Sequence, residues 1–147
     1  IHVMEAPSDG IDLDFCTGTV KRSRFIDMGN DGLDCSGSRL QLTDLRFEQC
    51  RDKALSIGEA SDVLMESVQV LHSNQGIVVK DQSTAIANQI LLDHCQHGFK
   101  VYQKKHTYGG GHLRVGTYEA RQVRKLYTVG PASSLQLAGQ LIESTFY

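Results

Sequence analysis

The sequence predicts an all-β solenoid, a right-handed single-stranded parallel β-helix of about six 22-residue rungs. The first observation behind this is a constant period. The apolar residues that open successive copies of a repeat are Ile11, Leu33, Leu55, Ile77 and Phe99, spaced 22 residues apart four times running. A sixth copy, Leu126-Tyr127-Thr128-Val129, arrives 28 residues after the fifth. A fixed period in this range marks a stacked-repeat architecture. The second observation is the pattern inside each copy. Ile11-Asp12-Leu13-Asp14-Phe15, Leu33-Asp34-Cys35-Ser36 and Leu55-Ser56-Ile57-Gly58 alternate strictly, as half-buried strands do.

In chain order, Ile1-His2-Val3-Met4 reads as the tail of an earlier coil, so the 147 residues read as one β-helix domain that is a fragment or module of something longer. Each first run is followed by a polar turn that includes Ser38, Ser61 and Ser83 at nearly equivalent positions. A second alternating run follows (Leu40/Leu42, Val63/Met65, Ala85/Ala87), then a third (Ser23/Phe25, Leu45/Phe47, Val68/Val70, Ile90/Leu92). Asn30, Asp52, Asn74 and Gln96 close the copies as a polar corner, expected to carry a side-chain ladder along the axis. Three short strands in about 22 residues make one rung, and a rung buries its apolar face only against its neighbours. A leucine-rich repeat has a similar length, but it needs a helical arc, and here the second and third runs alternate like strands.

Between Gln103 and Lys125 the pattern breaks. Residues 103–112 form an inserted Gly-rich basic loop, Lys104-Lys105-His106-Thr107-Tyr108-Gly109-Gly110-Gly111, expected as a flexible excursion or a mobile flap beside the first-strand face. Ser134-Leu135-Gln136-Leu137 and Leu141-Ile142-Glu143 read as the last rung. No capping helix is evident, so the end rungs are edge strands that invite end-to-end or edge-strand self-association.

Charge is near balance, with 15 Lys+Arg against 17 Asp+Glu, which argues against a general nucleic-acid partner. No apolar run has the length of a membrane span. Cys50 and Cys95 occupy equivalent positions two coils apart, about 10 Å, too far for a disulfide. The four cysteines read as buried thiols acting as small hydrophobes. His72, His94 and His97 sit near corners with no spacing of a metal triad, and no Ser/His/Asp arrangement assembles from neighbouring columns.

Because the inward positions are fixed by alternation, the outward first-strand columns follow. One reads Asp12, Asp34, Ser56, Val78, Lys100; its neighbour reads Asp14, Ser36, Gly58, Lys80, Tyr102; the corner before them reads Asp9, Asp31, Lys53, Gln75, His97. Acids cluster at one end and bases with aromatics at the other, a face suited to a polyhydroxylated chain. Asp12 and Asp34 are direct neighbours at ~4.8 Å with Asp14 beside them. Like charges that close raise a pKa or recruit a cation with oxygen ligands, so Asp12, Asp14 and Asp34 are the candidate Ca²⁺ ligands. Lys80 and Lys100 stand two or three rungs from the acids, on the order of 10–15 Å, long for shared chemistry.

Asp9-Gly10-Ile11-Asp12, Asn30-Asp31-Gly32-Leu33-Asp34 and His97-Gly98-Phe99 resemble segments of the pectin-lyase-like superfamily. Its polygalacturonase-type hydrolases carry Asn-Thr-Asp-Gly, Gly-Asp-Asp-Cys and Gly-His-Gly on successive first strands. By this resemblance Asp9 and Asp31, with Asp34, are the catalytic candidates for inverting hydrolysis. Asn30 stands where the second motif has another Asp, and Lys53 stands where a His is expected. Pectate-type lyases share the fold and use Ca²⁺ with a basic residue. The chain also resembles β-helix modules of large bacterial surface proteins, as in Lys80-Asp81-Gln82-Ser83. The resemblance implies an extracellular or cell-surface protein whose partner is a polysaccharide; the family's Arg-x-Lys binding motif has no clear counterpart, and the candidate binding residues are Lys80, Lys100 and Tyr102 of the outward columns and the basic pair Lys104-Lys105. Whether it cleaves the glycan, as glycoside hydrolase or polysaccharide lyase, or is a non-catalytic structural or adhesive segment stays open at this point.

Overall fold

The computed structural model describes residues 1–144. Twelve strands form the chain: β1 (His2–Ala6), β2 (Ile11–Asp14), β3 (Thr17–Met28), β4 (Leu33–Ser36), β5 (Arg39–Cys50), β6 (Lys53–Gly58), β7 (Asp62–Leu71), β8 (Gln75–Lys80), β9 (Thr84–Tyr102), β10 (His112–Val129), β11 (Ser134–Leu137) and β12 (Gln140–Ile142). They make a parallel β-solenoid in which each rung pairs with the next at the predicted register. Ile11 pairs with Leu33, Leu33 with Leu55, Leu55 with Ile77, Ile77 with Phe99, and Phe99 with Tyr127. The last pairing absorbs the 28-residue spacing, so the insertion leaves the rung intact.

Inside, identical columns stack. Phe25 and Phe47 are both fully buried, with ring centroids 4.8 Å apart and planes 14° apart, a strand spacing converted directly into aromatic stacking. Leu33, Leu55, Ile77 and Phe99 are likewise fully buried one above another. All four cysteines are free thiols. Cys35, Cys50 and Cys95 are buried as expected, whereas Cys16 is only half-buried. Burial pushes the Cys35 and Cys50 thiols up to about 12, so they are inert hydrophobes.

The corners differ from expectation in how they are made. The second and third runs of a rung are one continuous strand, bent in β3 at Arg22 and in β5 at Asp44, both with positive φ. At the corner after the third run, Asp27, Gln49, His72, His94 and Gln122 all adopt positive φ. Rungs on both sides fix Asp27, Gln49, His72 and His94, and Gln122 rests on the His94 side alone, at a position where a lone corner would call for glycine. Ser38, Ser61 and Ser83 form a buried hydroxyl ladder: Cys16 N donates to Ser38 Oγ (3.0 Å), Ser38 N to Ser61 Oγ (3.1 Å) and Ser61 N to Ser83 Oγ (3.1 Å).

One expectation is corrected. Leu141 and Ile142, read with Ser134–Leu137 as the last rung, do not continue that rung in parallel. They lie in β12, which turns back antiparallel on β11 with Leu135 opposite Ile142 and Leu137 opposite Gln140. Ala138 and Gly139, both at positive φ, make the two-residue turn, a geometry that suits a tight hairpin. The inserted loop is anchored to the rungs beside it. Asp81 Oδ1 accepts from Lys104 N (2.6 Å) and Lys105 N (2.7 Å), the Lys105 ammonium pairs with Glu59, and Gln82 N donates to the Gly109 (2.9 Å) and Gly110 (3.0 Å) carbonyls.

Candidate functional site on the outer face of the first strands

The outward positions of β2, β4, β6, β8 and the ends of β9 and β10 form the face on which the predicted site residues lie. Its first corner is occupied by a carboxylate ladder. Asp9 Oδ1 accepts from Asp31 N (2.9 Å) and Asn30 Nδ2 (2.7 Å), and Asp31 Oδ1 accepts from Lys53 N (3.0 Å). The predicted polar ladder therefore runs through Asp9 and Asp31. Among the described residues, two members of the predicted corner column, Asn30 and Asp52, join it through side chains, Asp52 Oδ1 accepting from Gln75 Nε2 (2.8 Å).

Asp31 is buried, at 4% exposure, and its carboxyl is held above the usual range by burial, which outweighs the amide and ammonium of Lys53. The Lys53 ammonium lies 3.5 Å from Asp31 Oδ1 and also pairs with Asp52. Burial would lower Lys53, but these two carboxylates hold it above the ordinary lysine value. Asp52 sits below its usual range: burial raises it, and the Lys53 hydrogen bond and charge more than offset that.

The centre of the face holds an arrangement that column spacing did not reveal. Lys80 Nζ donates to Ser56 Oγ at 3.1 Å, so its stem folds back a full rung. Gly58 makes this possible, since a Cβ there would lie 2.9 Å from Lys80 Cε. The expected separation of Lys80 from the acids holds for the backbone and is shortened by the side chain. Burial pushes the Lys80 ammonium below the ordinary lysine value, and the nearby Asp34 charge opposes that. Asp34 is in register with Ser56, and its Oδ1 is buried with no hydrogen-bond partner among the described residues. Ser56 and Val78 are buried at the floor of the face. Beyond them Lys100 Nζ lies 4.8 Å from the ring centroid of half-buried Tyr102.

Of the predicted residues, Asp34, Lys80, Lys100 and Tyr102 come together on one surface. Asp12 and Asp14 are exposed beside it, and Asp12 is held above its usual value by burial and by the charges of Asp14, Asp34 and Asp9. Among the described residues no three His, Cys, Asp or Glu side chains stand close enough to hold a metal ion. Lys104 is exposed, while Lys105 is committed to Glu59. Ser56, Gly58 and Asp81 were missed. The one signal for the first two was a glycine preceding a lysine in the same column.

Two further pairs were also missed. His112 Nδ1 lies 2.8 Å from Ser134 Oγ on the second-strand face, so a Ser/His pair does assemble within one column. His72 and His94 stack at 4.7 Å on adjacent rungs, and His94 Nδ1 lies 2.6 Å from Asp93 Oδ1.

A family model described as a right-handed beta helix region matches residues 1–110. No curated protein and no solved structure matches the chain.

Proposed function

Because the chain belongs to the right-handed β-helix family, we propose that the outer face of its first strands binds an extended polysaccharide. The observation that carries this is Asp34 Oδ1, a buried carboxylate oxygen with no hydrogen-bond partner among the described residues, set next to Ser56 and the reaching Lys80. A buried acceptor without a donor is costly, and a sugar hydroxyl supplies the donor. Lys80 and Lys100 meet the ligand's acidic or hydroxyl oxygens, Tyr102 offers a ring face for a pyranose, and Lys104 lines the end of the groove. In this reading the protein works at the cell surface or outside the cell, where such polymers occur.

Cleavage is a further step of the same reading. Lys80, with its ammonium destabilised by burial, is the residue suited to take a proton in a lyase reaction. Asp9 and Asp31, the hydrolase candidates, serve as rung-to-rung acceptors. That commitment supports a second reading, a structural or adhesive segment of a larger surface protein that needs no catalytic acid.

The test is binding to a panel of uronate and neutral polysaccharides by wild type, Asp34→Asn and Lys80→Met. Saturable binding that both variants weaken supports the glycan face. Product release, or a new double-bond absorbance, adds cleavage. Failure to bind any member of the panel favours the structural reading.

A further inference from the structure

The third-strand face, away from the first strands, carries two arginines stacked in register. His2, Arg24, Arg46 and Gln69 are consecutive members of one outward column: His2 pairs with Arg24, Arg24 with Arg46, and Arg46 with Gln69. Neighbouring strands lie ~4.8 Å apart, and like charges directly opposite one another destabilise a sheet. The register therefore forces two guanidinium groups together on a chain whose net charge is −2.

The counter-charge available is small. Arg46 is oriented by Gln69, with Nη1 donating to Oε1 at 3.3 Å, and by Glu48, with Nη2 donating to Oε2 at 3.5 Å. That leaves most of its five donors unused. Arg22 and Arg24 make no ion pair among the described residues. Arg22 stands at the bend of its strand, where positive φ turns the backbone. A shallow depression of about 480 Å³ lies between these side chains, bounded by His2, Arg22, Arg24, Arg46 and Gln69, with Asp44 as the one carboxylate on its wall.

We propose that this depression binds a tetrahedral oxyanion, the phosphate or sulfate group of an esterified ligand, held between Arg22, Arg24 and Arg46. Guanidinium forks suit this role because each offers two parallel donors to an oxyanion. The bound anion removes the repulsion that the Arg24–Arg46 register creates, while Gln69 and Glu48 hold Arg46 ready. Asp44 bars one side of the depression and directs the anion towards the Arg24–Arg46 pair. The site is independent of the glycan face.

Calorimetric titration with sodium phosphate and with sodium sulfate, at low ionic strength and with sodium chloride as the matched control, tests it. Wild type is expected to show one saturable site that chloride does not fill. Arg24→Gln/Arg46→Gln is expected to lose roughly tenfold or more in affinity. Arg24→Lys, which keeps the charge but not the fork, should fall between them. All three side chains are exposed or half-buried, and a melting curve for each variant confirms the fold. Tighter phosphate points to a phosphorylated ligand and tighter sulfate to a sulfated one, and both support the site. Absence of saturable binding to either anion overturns it. So does an equal loss in Arg39→Gln, a substitution on the second-strand face, because the effect would then be one of overall charge.

Discussion

Lys80 reaches back across Gly58 to place its ammonium 3.1 Å from Ser56 Oγ, so a glycine on one rung sets the position of a cation from the next. A methyl group at position 58 would stand 2.9 Å from Lys80 Cε, the far part of a flexible chain that can move aside. Gly58→Ala is therefore expected to fold normally, with a stability change within about 1 kcal/mol, and to lift Lys80 off Ser56. If the first-strand face binds glycan through Lys80, affinity should drop as far in Gly58→Ala as in Lys80→Met. An unchanged affinity in Gly58→Ala alongside a lowered one in Lys80→Met would show that the backward reach is dispensable.

Asp31 makes a pH-dependent contribution whose direction is set by its burial. Its folded-state pKa is raised above 3.8, so the native state holds the proton more tightly than the unfolded chain. The resulting stabilisation is fully present below pH 3.8 and is lost as pH rises through the elevated native value. Asp31→Asn removes this dependence and keeps an amide oxygen to accept from Lys53 N. Relative to wild type, Asp31→Asn should gain stability between pH 4 and pH 7, read from urea midpoints. A relative loss over that interval would mean that the Lys53 ion pair outweighs burial.

Asp81 is fully buried and gathers the two amides that start the inserted loop. Asp81→Ala leaves both without their acceptor, at about 1–3 kcal/mol for a buried unsatisfied group. The local consequence is measurable: trypsin should cut at Lys104 or Lys105 well before the rest of the chain, and more slowly in Asp81→Asn, which retains an oxygen. Equal cleavage of wild type and Asp81→Ala would return the loop to the mobile flap that its glycines and lysines suggest.

These examples show which features a sequence of this kind discloses. The register from Ile11 to Tyr127 was legible because burial forces like residues into columns at a fixed period, and the outward columns followed by alternation. Alternation specifies a face but not the direction in which a long side chain lies, so Lys80 was assigned to its own rung although it acts on the one before. Corner residues such as Gln49 and His72 carry no glycine signal, because stacking holds their left-handed backbones in place. The Leu141-Ile142 pair is apolar in the right spacing for a strand. Its reversal depends on Ala138-Gly139, a turn whose handedness periodicity does not encode. His112 and Ser134 stand one 22-residue period apart, but the break before His112 hid the column they share.

That reversal at the C-terminal side makes the last prediction. β12 pairs antiparallel with β11 and thereby occupies an edge that would otherwise offer free amides and carbonyls. Gly139 has φ of +81° and open space around it, so a side chain there meets no clash but a strained backbone. Gly139→Val should cost about 1–2 kcal/mol at the turn and loosen β12. The freed β11 edge should then pair with other molecules, giving a mass that grows with concentration by light scattering. Gly139→Asn, tolerated in this region of φ, should behave as wild type. A monomeric Gly139→Val at high concentration would show that the hairpin is not what protects this edge.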